Sequence, residues 1–214
     1  MEMNYLVKIY CTVFSLLFAS VGFSQKTFQG FVSAGLTSSQ ISGDGFYGFG
    51  QFGANAGLGT RVELSDFFSV SGQISFNQKG TRKYQNNDFT TYRLRVNYIE
   101  VPLLVQYAIK KWQIVSGVGF NYRINHRERS MFGDILPERS FKGFELAFHL
   151  GLDYQLNDQF SIGIGYQNSI LPVRDHVTNQ VFPPNNFVVG DWHNDLLNQG
   201  QYFSSLQLKL YYYF

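Results

Sequence analysis

His149 stands four residues from both Glu145 and Asp153. A histidine, a carboxylate and one of the chain's many serines are the parts of a hydrolase, in which the imidazole takes the hydroxyl proton and the carboxylate orients the imidazole. The surrounding pattern offers a plainer account. Phe144, Leu146, Phe148, Leu150, Leu152 and Tyr154 alternate with Glu145, Ala147, His149, Gly151, Asp153 and Gln155. Such alternation places polar residues on one face whatever their role, so no catalytic residue is assigned. His126, His176 and His193 are scattered at no metal-ligand spacing, and neither a metal nor a cofactor is expected. Gly43-Asp44-Gly45 reads as a turn, because no helix follows it to offer an anion its N-terminus. Arg61, Glu63, Glu100, Arg123 and Lys209 also lie on polar faces. With Glu145, His149 and Asp153 they read as interior charges that pair to offset desolvation; a ligand site or a gating network is the alternative.

The elements that must position these residues are strands. The chain has 214 residues, 44% hydrophobic, 18% aromatic and 15% charged, the last well below the roughly 25% of ordinary domains. Its single Cys excludes an internal disulfide framework and a CxxC zinc site. The formal net charge is +2 with no basic run longer than two, so no nucleic-acid partner is expected. Residues 1–24 read as a secretory signal peptide, with Lys8 before a short apolar centre and the small residues Gly22 and Ser24 at its end. Residues 25–214 then form one β-domain.

Alternation recurs along that domain. The clearest case has Leu206, Leu208, Leu210, Tyr212 and Phe214 on one side and Ser205, Gln207, Lys209, Tyr211 and Tyr213 on the other. In 93–109 the apolar parity slips by one, which predicts a β-bulge near Tyr98–Pro102. Eight strands result. Ser65-Asp66, Lys110-Lys111 and Asn157-Asp158 make tight turns, and longer polar loops fall at about 41–49, 80–91, 126–140 and 171–200. A soluble sandwich has no reason for this asymmetry; a soluble lipocalin-like barrel, whose apolar face would point inward and leave polar faces such as Gln207–Lys209 in solvent, is the fold-level rival. A transmembrane barrel has short periplasmic turns, long outer loops, an apolar exterior and a polar interior. The expected fold is therefore all-β: an eight-stranded antiparallel up-and-down transmembrane β-barrel in the bacterial outer membrane. Its aromatic girdles are expected to be Phe67, Phe68, Tyr107, Trp112, Tyr154, Phe160, Tyr212 and Phe214 at one end, and Phe49, Phe76, Tyr92, Tyr122, Phe141, Tyr166 and Tyr202 at the other.

Three blocks carry a family resemblance: Gly72-Gln-Ile-Ser-Phe-Asn-Gln-Lys-Gly80, Asn97-Tyr-Ile-Glu-Val-Pro-Leu-Leu-Val-Gln-Tyr107 and Gly117-Val-Gly-Phe-Asn-Tyr122. With them the chain resembles the PorT-family outer-membrane barrels of Bacteroidetes-type bacteria. The resemblance implies an outer-membrane barrel and no single activity. The name-giving member serves a protein-secretion system, and no residue here points to that role. Phe214 looks like the aromatic signal read by the barrel-assembly machinery. The expected role is structural, or a partner interaction through the outer loops, where Trp192, Leu196 and Leu197 form a candidate contact patch. Outer-membrane lipid, the assembly machinery and a protein at the outer loops are the expected partners. A narrow solute channel or a secretion-system accessory barrel is the alternative, the channel being disfavoured because eight-stranded barrels are filled by their own side chains.

Overall fold

The computed structural model describes residues 28–42, 48–85, 89–130, 132–134, 141–175 and 200–214. The signal segment 1–24, Gly43-Asp44-Gly45, His176, Trp192, His193, Leu196 and Leu197 lie outside them. Eight long strands run β1 (Phe28–Ser42), β2 (Gln51–Glu63), β3 (Phe68–Gln85), β4 (Phe89–Ile109), β5 (Trp112–Ser130), β6 (Phe144–Gln155), β7 (Phe160–Ser169) and β8 (Gly200–Tyr213). Each pairs antiparallel with its neighbours in sequence. β8 returns to β1 from Phe31↔Tyr213 to Ser42↔Tyr202, which closes the barrel and removes the free sheet edges. Two short additions, Gly133–Asp134 and Arg174–Asp175, pair with the outer ends of β5 and β8.

The tight turns fall where expected. Leu64 and Ser65 both donate to Phe68 O, Leu156 and Asn157 both donate to Phe160 O, and Asn157 Oδ1 caps the amides of Gln159 and Phe160. At the β4–β5 turn Lys110 takes the left-handed conformation at φ 57°.

Alternation resolves into two walls of opposite chemistry. Leu36, Leu58, Ile74, Ile164 and Leu208 point outward and are 45–64% exposed. Gln73, Asn121, Gln167 and Gln207 point inward and are at most 4% exposed. An apolar exterior around a polar interior is stable only in lipid. Phe67 and Phe68 against Tyr107, Trp112 against Tyr154, and Phe160 and Phe214 against Tyr212 form the aromatic girdle at the short-turn end.

The other end departs from expectation. Strand β4 has 21 residues, roughly 70 Å of chain at ~3.3 Å per residue, and overreaches an apolar band ~25 Å tall even when tilted. Most of the loop expected at 80–91 is therefore ladder, and so are residues 126–130. No bulge breaks Tyr98–Pro102. Leu94, Val96, Tyr98, Glu100, Leu104 and Gln106 all face inward, in one unbroken parity. Pro102, which has no N–H to donate, leaves a gap in the β3–β4 ladder, with the same register on both sides. The nearest register shift lies instead on β5, where Ile124 is the extra residue between the pairs Asn97↔Asn125 and Tyr98↔Arg123, and a second falls further out in the β3–β4 ladder, between Lys83 and Tyr84.

The slip in the sequence thus marks a change of solvent. Up to Ile99 the outward side chains of β4 are apolar and meet lipid. Beyond it they are Asn97, Arg95 and Arg93, while the inward ones become Tyr98, Val96 and Leu94. Water surrounds this extension, so its apolar residues turn inward.

Candidate functional site

The described interior has three levels. At mid-barrel lies a buried ion cluster. Lys79 Nζ is 2.7 Å from Glu100 Oε1 and 3.1 Å from Glu145 Oε2, with all three side chains at most 1% exposed. Asn121 Nδ2 and Ser169 Oγ donate to Glu145 at 3.1 and 2.5 Å. Gln167 Nε2 lies 3.2 Å from both Glu100 Oε1 and His149 Nε2, while its Oε1 accepts from Ser205 and Gln207. A buried cation with two hydrogen-bonded carboxylates offsets much of the desolvation that each charge suffers alone.

Space for these long side chains comes from glycines on the facing strands. A Cβ at Gly119 would lie 2.4 Å from His149 Nε2, and one at Gly163 would lie 2.0 Å from Asp153 Oδ1. Gly163 pairs with Asp153 on one side and Lys209 on the other, so two opposite charges flank one vacant side-chain position.

Toward the short-turn end the interior opens into a polar mouth of about 240 Å³, lined by Gln29, Arg61, Glu63, Gln113, Asp158 and Tyr213 among others. Arg61 Nη1 donates to Gln113 Oε1 at 3.1 Å.

Toward the long-hairpin end the barrel is stoppered by Ile41, Leu94, Val96, Tyr98, Phe141, Val173 and Phe203. Phe141 stacks on Phe203 at 6.2 Å, and Tyr98 meets Phe203 edge-on at 6.0 Å. The Arg174 guanidinium lies 3.8 Å from the Phe141 ring centre and pairs with Glu128, which also accepts from Tyr92. Val173 is held by its amide to Gln201 O and by its carbonyl to Lys142 N.

Of the charges expected inside, Arg61, Glu100, Glu145, His149, Asp153 and Lys209 are buried on the inner wall. Glu63 is not: it is exposed at the mouth, at the last residue of β2. Arg123 is half-buried at the bulge, where its Nη1 donates to His126 Nδ1 at 2.7 Å. Burial and the Arg123 charge together hold His126 below the usual imidazole range, and its Nδ1 accepts this bond because a guanidinium can only donate. His126 belongs to β5 rather than a loop, and its ring meets Phe141. Phe141 and Tyr202, expected in the outer girdle, are each 2% exposed, and Tyr92 packs against the stopper. An aromatic above the lipid boundary is better placed against the inner apolar cluster than in water.

Lys79 is the member the sequence reading misses. Its signal was parity, since it continues the inward series Gln73, Ser75 and Asn77. No serine lies within hydrogen-bonding distance of His149 among the contacts of the described residues; its ring meets Gln167. Among those residues no group of three or more His, Cys, Asp or Glu gathers as metal ligands would.

A closed ring of eight antiparallel strands with a lipid-compatible exterior decides the class, and comparison with known families agrees. The profile of the outer membrane protein β-barrel domain matches residues 10–190. The chain belongs to that family. It is a protein of the bacterial outer membrane. No curated protein matches the sequence. Similar solved structures include Ail, the attachment invasion locus protein of Yersinia pestis, in complex with the heparin analogue sucrose octasulfate, at 17% identity and a TM-score of 0.48 over 87% of this chain and 99% of that one. Neisserial surface protein A follows at 11% identity and a TM-score of 0.49 over 89% and 100%. OprG from Pseudomonas aeruginosa has 14% identity and a TM-score of 0.42 over 88% and 97%.

Proposed function

We propose that this barrel acts at its outer rim and not through its lumen, as a non-enzymatic scaffold that presents its extended hairpins above the membrane. The observation that carries the reading is the double closure of the interior, by the Lys79–Glu100–Glu145 cluster at mid-height and the aromatic stopper above it. Eight strands enclose only enough room for side chains to fill, and here long polar side chains and facing glycines fill it. A protein partner at the outer loops, lipid around the apolar wall and the barrel-assembly machinery during insertion complete the proposed interactions. Residues 1–24 are read as the export signal.

The finer reading as a PorT-type barrel of Bacteroidetes-type bacteria draws support from where its motifs fall. The three blocks contribute Lys79, Glu100 and Asn121 to one buried cluster and Tyr98 to the stopper. They encode the filled interior, which accounts for a resemblance that marks a fold and not a reaction.

Planar-bilayer recording on refolded residues 25–214 tests the proposal. Protein shown to be folded by its heat-modifiable gel migration is expected to give no steady conductance. Reproducible open channels would overturn the reading in favour of a narrow solute channel.

A further inference from the structure

Above the lipid boundary the outward faces of β3, β4 and β5 carry a cluster of arginines set against one another. In one row Arg82 pairs with Arg93, and Arg93 pairs with Arg129. In the next row inward, Arg95 pairs with Arg127. Like charges directly opposite each other on a sheet repel, and sequences normally avoid them. Among the described residues Asp134 is a carboxylate at this ledge, bound to Arg127 at 2.9 Å and Arg129 at 2.7 Å. Glu128, which lies between those two in sequence, points inward to Arg174. The side chains of Arg127 and Arg129 are 60% and 53% exposed, Arg95 is exposed, and Arg93 donates to Gln51.

The ledge continues the lipid-facing wall. Below it comes a row of amides in which Gln78 donates to Asn97 at 2.9 Å and Asn97 to Asn125 at 2.8 Å. Below that row the outward residues are apolar, Ile99 on β4 and Ile124 on β5. Two residues of tilted strand rise ~5 Å, so the Arg95–Arg127 row stands ~10 Å above Ile99. The polar zone of a bilayer is about 5–7 Å deep on each side, within reach of an arginine stem that bends back toward it.

We propose that this ledge binds the phosphate groups of an anionic outer-leaflet glycolipid, with paired guanidiniums on neighbouring strands clamping one phosphate between them. Phosphate suits the site because a guanidinium fork engages it through two parallel N–H···O bonds, and two forks around one dianion convert the cross-strand repulsion into attraction. A lipid source follows from continuity with the apolar wall: an acyl chain lying on Ile99, Val101 and Ile124 places its headgroup at the arginine rows. The inference rests on the membrane placement of the barrel and is independent of whether the lumen conducts.

The test uses the refolded protein in bilayers of phosphatidylcholine containing spin-labelled probe lipids. The probes are a bis-phosphorylated glycolipid and a zwitterionic phospholipid. Wild type is expected to prefer the phosphorylated probe about fivefold or more, with the preference falling as salt rises. R95Q/R127Q is expected to abolish the preference, while K110Q/K111Q at the opposite end keeps it. In phosphatidylcholine alone R95Q/R127Q should still fold, because the lost Arg127–Asp134 pair is an exposed one and Arg129 keeps its own contact to Asp134. Should the double variant fail to refold, single R95Q with the wild-type salt series reads the same effect. Equal association of both probes with wild type would overturn the proposal. So would a preference untouched by R95Q/R127Q, or saturable binding of inorganic phosphate alone with no lipid preference. Conductance in the separate bilayer recording would refute the filled-lumen reading and leave this one standing.

Discussion

Lys79 shows how much one residue can carry in a barrel this narrow. Its ammonium is the cation between Glu100 and Glu145, and both carboxylate side chains are at most 1% exposed. Lys79→Met should therefore destabilise the barrel by about 3–5 kcal/mol, since it strands two buried like charges. Adding E100Q and E145Q to that variant should recover most of the loss, and urea unfolding in detergent, followed by tryptophan fluorescence, reads both. Asp134 works at the surface. Hydrogen bonds from Arg127 and Arg129 hold its carboxyl below the ordinary aspartate range. The folded state thus binds that proton less readily than the unfolded chain. The contribution is fully present above the unfolded aspartate value and is lost as pH falls through the lower folded one. Carboxylate NMR should show the depressed titration, and D134N should remove the acid-side loosening of the Gly133–Asp134 pairing with β5.

At the scale of the strand, one physical boundary explains both β4 and β5. Alternation is a statement about two solvents, and when a strand leaves lipid for water the same alternation changes sign. That is why Leu94, Val96 and Tyr98 face inward together with Glu100, and why a slip in the apolar pattern needs no bulge in β4. The boundary can be mapped by charge insertion. Ile164→Arg, on the outward face within the apolar band, should cost about 2–4 kcal/mol, whereas Asn97→Arg in the amide row should cost roughly 0–1 kcal/mol. Equal costs at the two positions, measured by denaturant titration in lipid vesicles, would count against the boundary drawn here. The eight strands, the tight turns and most of the inward residues were legible in the sequence because period-two alternation is local. The length of the outer hairpin was not, because polar residues outside and apolar residues inside read, residue by residue, like a loop.

The molecule as a whole is a closed β-barrel with strands extended above the lipid at one end. Closure of β8 on β1 pairs the first and last strands, the ion cluster and the aromatic stopper occupy the lumen, and the short-turn mouth ends in a polar cup. Phe141→Ala combined with Phe203→Ala removes the stacked pair, and the expected result is a barrel about 3–5 kcal/mol less stable per ring lost yet still without steady conductance, because the Lys79 cluster remains. Conductance appearing in this variant alone would make the stopper the seal and the ion cluster a lining.

What the amino-acid sequence determined by itself was the architecture: strand number, turn placement, membrane class and the parity of the inner wall, all written in neighbouring residues and their period. Which inward residues meet was decided only by the closed sheet. Lys79 and Glu145 are 66 residues apart, Gln167 and Glu100 are 67 apart, and nothing local brings them together. Barrel closure and register do so, by aligning β3, β4, β6 and β7 around one axis. The arginine ledge is of the same kind: in the sequence its members are scattered basic residues, and only strand pairing makes them opposing rows.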